Sequence, residues 1–166
     1  MREIKFRGKR IDYERWPKNP ELHWVYGHYF VAPLTDENSG MPAKSGWSFL
    51  GGAEQMHCIE QDGVSFVVDP KTLGQYAGLS DKNGVEIYED DALGLYGEFD
   101  EGRLMYAKSR VIFVDGCFTI GDDTNYTDLI PISQWLEDGG SAVEVLGNVH
   151  ENPELLQQDE EGDYDG

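Results

Sequence analysis

Three dipeptides, Asp62-Gly63, Asn83-Gly84 and Asp115-Gly116, sit between short runs in which apolar and polar residues alternate. A two-residue type I′ turn requires positive φ at both of its central positions. Asn and Asp tolerate that conformation and Gly adopts it freely. Each pair therefore predicts a β-hairpin, and the flanking runs "IEQDGVSFVVD", "GLSDKNGVEIY" and "VIFVDGCFTIG" have the period of two that half-buried strands need. With 20 glycines and 12% aromatic residues in 166 positions, the composition is that of a turn-rich, mainly β chain.

The remaining segments fit the same frame. "REIKFRGKR" alternates, with Ile4 and Phe6 on one side and Lys5 and Arg7 on the other, and "LHWVYGHYFV" is an aromatic strand in which Gly27 marks a bulge or a close backbone approach. The two are expected to pair across a polar connection containing Pro17 and Pro20. Residues 35–46 have the composition of a loop, and a further strand is expected over "WSFLGG". Asp69 followed by Pro70 predicts an N-cap and one helical turn. "LIPISQWLEDGG" predicts a short helix, "AVEVLGNVH" a last strand, and "NPELL" a helical turn led by Asn152 and Pro153. The tail "QQDEEGDYDG" is acidic and poor in apolar residues and is expected to be disordered.

Charge is distributed unevenly. Residues 1–18 hold seven of the 13 basic side chains against three acids, a balance of +4, and the other 148 residues carry 29 acids and six bases, a balance of −23. Such a body repels phosphate backbones and anionic membranes, so direct nucleic-acid or membrane binding is not expected. Its basic N-terminus is expected to dock on an acidic surface of the same chain or of a neighbouring subunit. The N-terminus lacks an apolar signal core, no apolar run reaches membrane length, and Cys58 and Cys117 have no metal or redox spacing. A cytoplasmic protein with free thiols is expected.

Taken in order, "REIKFRGKR", "WVYG", "QYAGLSDKNGVEIYEDD", "VIFVDGCF" and "VLGNVHENPELL" resemble the YopX family of phage and prophage proteins, over roughly residues 2–156 with the 35–46 loop and the acidic tail outside. The resemblance implies a compact SH3-type small barrel with an N-terminal β-hairpin extension and a few short helical turns. Residues 1–68 would be the hairpin region, 69–156 the barrel core and 157–166 the tail. It brings no catalytic residues and no cofactor. Where the family has Gly-Asp before a β-branched strand, this chain has Asp90-Asp91-Ala92-Leu93. Asp90 is expected to hold the turn geometry that glycine would allow, through a local side-chain interaction.

The acids Glu89, Asp90 and Asp91 are read as the corner where a turn enters a strand. Neighbouring strand residues diverge, whereas a divalent ion needs oxygens converging from several elements. Cys117 with His150 has the residue types of a nucleophile and base, but an acidic setting favours the inert thiol. His23, His28 and His57 are read as hydrogen-bonded imidazoles beside aromatics. Arg7, Lys9 and Arg10 with Trp24 and Tyr26 form the candidate interaction surface: cations beside an aromatic strand face, read as core or subunit interface before a base-stacking platform. The leading expectation is a non-enzymatic accessory protein, without cofactor or metal, that works through protein–protein contact or self-assembly. One rival is an acidic DNA-mimicking decoy for a nucleic-acid-binding protein. The other is a metal-dependent enzyme on nucleotides or nucleic acid using Asp90, Asp91, Asp122 and Asp123.

Overall fold

A computed structural model describes residues 3–33, 55–99, 102–121, 129–136 and 143–156. The expected 35–46 loop, the "WSFLGG" strand and the acidic tail lie outside the described residues. The chain is mainly β, with two antiparallel sheets, and divides into two compact units, Met1–Tyr76 and Ala77–Gly166.

In the first unit, β1 (Phe6–Lys9) pairs antiparallel with β2 (Trp24–Pro33), with Phe6 opposite Gly27 and Lys9 opposite Trp24. The connection carries two short 3-10 turns, Tyr13–Arg15 and Pro20–Leu22. Next come β3 (Gln55–Gln61) beside β2 and β4 (Val64–Val67) beside β3. Asp62 and Gly63, at φ 52° and 78°, close the β3–β4 hairpin as their sequence requires. Register decides the core. Tyr29, Ile59 and Phe66 stand opposite one another on one face, where Phe6, Val25 and Leu73 join them around Val68. Asp69 caps the single turn Pro70–Thr72 by accepting from the Lys71 N–H at 3.0 Å. The chain then returns to extended geometry as β5 (Gly74–Ser80), whose first residues lie beside β1.

Gly27 proves to be a site of close approach. At φ 155°, a Cβ placed on it would stand 2.0 Å from the Glu60 carbonyl oxygen of the neighbouring strand.

In the second unit, β7 (Asp91–Phe99), β8 (Gly102–Val114), β9 (Cys117–Gly121), β10 (Ile130–Pro131) and β11 (Val143–Asn148) form a sheet in the order β10-β9-β8-β7-β11. The end of β5 neighbours β6 (Glu86–Tyr88), and α1 (Ile132–Leu136) follows β10. Leu93, Leu95, Val111, Phe118, Ile120 and Val143 occupy one face of the sheet, and Ile87 and Ile132 complete their core. Asp115 and Gly116, at φ 52° and 81°, turn β8 into β9. Among the described residues β10 and β11 are the two edges of this sheet, and no ladder joins them.

The Asn83-Gly84 turn differs from the type I′ expectation, because only Gly84 has positive φ, at 82°. The Gly84 N–H donates to the Asp81 carbonyl at 3.0 Å and the Asp81 N–H to the Val85 carbonyl at 2.8 Å, so the loop is a four-residue turn, Asp81 to Gly84, whose last residue is a left-handed glycine. Asp81 is the reason. Its Oδ1 accepts the Asn83 N–H at 2.7 Å and the Val85 N–H at 2.9 Å, which fixes the wider turn. Its Oδ2 accepts the Val145 N–H at 2.9 Å, and the Lys82 N–H donates to the Val143 carbonyl at 3.2 Å. The loop is thus fastened along the outer edge of β11.

Replacing Gly27 by Ala should lower the stability of the first unit by roughly 2–4 kcal/mol, since a backbone carbonyl of the neighbouring strand cannot give way as a side chain could and the conformation is strained for a side chain. Urea unfolding followed by tryptophan fluorescence checks this, with Gly63→Ala as comparison. Gly63 also has positive φ, but nothing lies within 4 Å of its would-be Cβ.

Candidate functional site

The β1–β2 register places Arg7 opposite Tyr26 and Lys9 opposite Trp24. Residues directly opposite share a face, as do those two apart along a strand. Four of the five candidate surface residues, Arg7, Lys9, Trp24 and Tyr26, are therefore brought together on the face turned away from the Val25–Ile59–Val68 core. The Arg7 guanidinium lies 5.3 Å from the Trp24 ring centroid, the Lys9 ammonium 4.5 Å from the Tyr13 ring, and the Lys5 ammonium 4.7 Å from the Tyr76 ring. Lys5, Arg7 and Lys9 each cover one aromatic ring, an arrangement worth about 0.5–2 kcal/mol apiece depending on desolvation.

Arg10 does not join them. One residue past Lys9 at the end of β1, it turns to the core side, where its guanidinium lies 4.6 Å from the Phe66 ring and makes a two-pronged contact with Asp12 at 2.8 and 2.9 Å. Burial also departs from expectation. Arg7 is only 6% exposed and Trp24 8%, so the centre of the face is covered, whereas Tyr26 at 43% and Phe30 at 37% are open. Alternation alone gave Arg7 to solvent, and the cross-strand Trp24 is the signal that could have placed it under cover.

The acidic corner resolves into separate duties. Asp91 is 0% exposed, and its Oδ2 accepts the Tyr88 N–H at 2.7 Å, fastening the turn into β7. Asp90 adopts φ 69°, the left-handed conformation expected of a residue in glycine's place. Its side chain, however, makes long-range contacts instead of a local one. Oδ1 accepts from Arg110 Nε at 2.9 Å and Nη2 at 2.7 Å, and Oδ2 meets His150 Nε2 at 2.8 Å. Burial pushes the Asp90 carboxyl up, but the hydrogen bonds and charges of His150 and Arg110 outweigh it and hold the group below the ordinary carboxylate range. Arg110 comes from β8 and His150 from just beyond β11, so one carboxylate ties together segments 20 and 60 residues away. Sequence reasoning missed this cluster. Its one signal was Asp standing where the family has Gly.

His150 is therefore engaged with Asp90, while the Cys117 thiol lies on the Phe118 carbonyl at 3.5 Å. His23 meets the Trp16 carbonyl at 2.9 Å, and His57 the Tyr29 hydroxyl at 2.6 Å. No group of three or more His, Cys, Asp or Glu suited to a metal ion occurs among the described residues. Asp122 and Asp123 lie outside them. A third cluster, at the surface, joins Lys82 to Glu144 at 2.7 Å, with the Lys82 ammonium 3.9 Å from the Tyr96 ring and the Tyr96 hydroxyl donating to Glu144. Lys82 and Tyr96 hold the Glu144 carboxyl below its usual range.

The family described as YopX protein matches residues 36–157. The chain belongs to the YopX family. The match begins after β2, so "REIKFRGKR" and "WVYG" lie upstream of it and the 36–46 segment lies within it, a different extent from the one the motifs implied. Among solved structures, this YopX chain is similar to protein EF1440 from Enterococcus faecalis, at 24% identity and a TM-score of 0.45, over 95% of this chain and 100% of that one. No curated protein matches the sequence.

Asp90→Asn keeps a residue that tolerates positive φ but removes the charge facing Arg110 and His150. It should destabilise the chain by about 1–3 kcal/mol in urea unfolding, the scale of a partly buried ion pair that loses one partner. The folded carboxyl titrates below the unfolded one, so its stabilisation is complete above the unfolded pKa and is lost as pH falls through the lower folded value. Unfolding midpoints measured from neutral to acid pH should fall more steeply for the unmodified chain than for Asp90→Asn.

Proposed function

We propose that this YopX-family chain is a phage- or prophage-derived accessory protein that acts by protein–protein contact, foremost with further copies of itself, and carries out no catalysis. The observation that carries this reading is the β1–β2 face, where Tyr26 and Phe30 stand 43% and 37% exposed beside the covered Arg7–Trp24 pair. Aromatic residues held open on an ordered strand next to Arg have the composition of an interface core.

Charge supports assembly between copies. Residues 1–76 hold nine bases and ten acids, a balance of −1, and residues 77–166 hold four bases and 22 acids, a balance of −18. A near-neutral unit with a basic strand and a strongly acidic unit are complementary from one copy to the next. Against the decoy reading stands the use of Asp81, Asp90 and Asp91 as internal ligands of backbone and side chains, which removes them from any carboxylate stripe.

The finer architecture belongs to the same proposal. Residues 69–156 are taken as an SH3-type barrel, supported by five strands, by register shifts at Leu95/Tyr96 and Val145/Gly147 that bend a sheet, and by the Asp81 loop fastened to β11. A cytoplasmic setting is supported by the free thiols of Cys58 and Cys117. Among the described residues, no helix is long and apolar enough to cross a membrane.

Size-exclusion chromatography with light scattering, at low and high salt, tests the assembly. We expect an oligomer at low salt whose population falls about tenfold or more, either with added salt or on replacing Tyr26 and Phe30 together by Ala. A monomer at every salt and at high concentration would overturn the reading.

A further inference from the structure

We propose that Asn83-Gly84 is a modification site, a point of succinimide-forming deamidation that the Asp81 loop holds closed in the folded chain. Asn83 is the one asparagine in the sequence followed by glycine, and both residues of the pair are exposed. Nothing lies within 4 Å of where a Gly84 Cβ would stand, so no side chain shields the peptide bond.

The reaction is internal. The Gly84 backbone nitrogen attacks Asn83 Cγ, and an N–Cγ bond forms as the Cγ–Nδ2 bond breaks. The proton lost from the Gly84 nitrogen leaves with Nδ2 as ammonia. Water then opens the cyclic imide at either carbonyl, giving aspartate or its backbone-shifted isoaspartate isomer. No oxidant, reductant or further co-reactant enters.

The loop opposes each requirement of the attack. The attacking nitrogen donates its hydrogen to the Asp81 carbonyl at 3.0 Å. The Asn83 backbone is pinned by its N–H to Asp81 Oδ1 at 2.7 Å, and its carboxamide is drawn outward to Glu144 Oε1 at 3.3 Å. Reaching Cγ means breaking the first bond and rotating Asn83 out of the turn that the other two maintain. Once the reaction has occurred, it cannot leave the loop as it was. Aspartate places a carboxylate where Nδ2 had donated to Glu144, and isoaspartate carries the main chain through Cβ and Cγ, which adds a methylene between Asp81 and Val85 and leaves the former backbone carbonyl as a free carboxylate on Cα. The bonds that fasten the loop to β11, from the Lys82 N–H to the Val143 carbonyl and from the Val145 N–H to Asp81 Oδ2, then lose their register.

The full-length chain, incubated at mildly alkaline pH and sampled over days, provides the test, with peptide mapping by mass spectrometry to quantify aspartate and isoaspartate at position 83. Native protein should convert about tenfold more slowly than the same chain unfolded in urea, the factor expected from one backbone hydrogen bond plus the turn it closes. Asp81→Ala, verified as folded by circular dichroism, should convert faster than the unmodified chain. In protein enriched in the product, hydrogen exchange at the Val145 amide should rise. Equal rates in native and unfolded chains would overturn the proposal, and that comparison needs no variant. A folded Asp81→Ala chain that converts no faster would overturn it too.

Discussion

A carboxylate taken out of water must find hydrogen-bond donors or lose its charge, and the second unit of this protein is organised around three that find them. Asp81 receives three backbone N–H groups, Asp91 receives the Tyr88 N–H, and Asp90 receives a guanidinium and an imidazole. Each stands where the chain changes direction, so its donors come from segments that have to be held together. The apolar core of Leu93, Val111, Ile132 and Val143 supplies the bulk of the burial. It is non-directional, and the aspartates choose which turn and which register that burial accompanies.

The first unit solves a different problem with a different interaction. Lys5, Arg7 and Lys9 alternate along β1 and the residue that leads into it, and all three are laid on aromatic rings drawn from β2, the following turn and β5. A long basic side chain packed this way covers apolar surface with its stem and keeps its charge in favourable contact. The strand is therefore held on both faces, by Phe6 and its core neighbours on one side and by Lys5, Arg7 and Lys9 on the other.

Much of this was legible in the sequence. The hairpins at Asp62-Gly63 and Asp115-Gly116, the β1–β2 pairing, the single turn after Asp69 and the special role of Gly27 all follow from local chemistry, in which residues a few positions apart decide the outcome. What escaped depends on distant partners. The Asn83-Gly84 dipeptide has type I′ chemistry, but Asp81, two residues earlier and also needed by Val145, imposes a wider loop. The start of β5 at Gly74 and Gln75, upstream of the run read as a strand, follows from pairing with Arg7 and Phe6 of β1. The Asp90–Arg110–His150 cluster brings together three elements whose adjacency only the sheet order reveals. Of the five candidate surface residues, Arg10 left the group because register, unlike composition, assigns each residue a face.

The sheet of the second unit ends on one side in β10, which is two residues long and closes with Pro131, a residue without an N–H to offer. On its other side the outward backbone groups of Val143 and Val145 are already occupied by the Asp81–Lys82 loop. Among the described residues, a strand arriving from another molecule would meet at β10 an edge only two residues long and at β11 an edge whose Val143 and Val145 groups are taken. Association of this unit with others is thereby steered away from open-ended, fibre-like stacking and toward side-chain surfaces, where contacts are finite and can be specific.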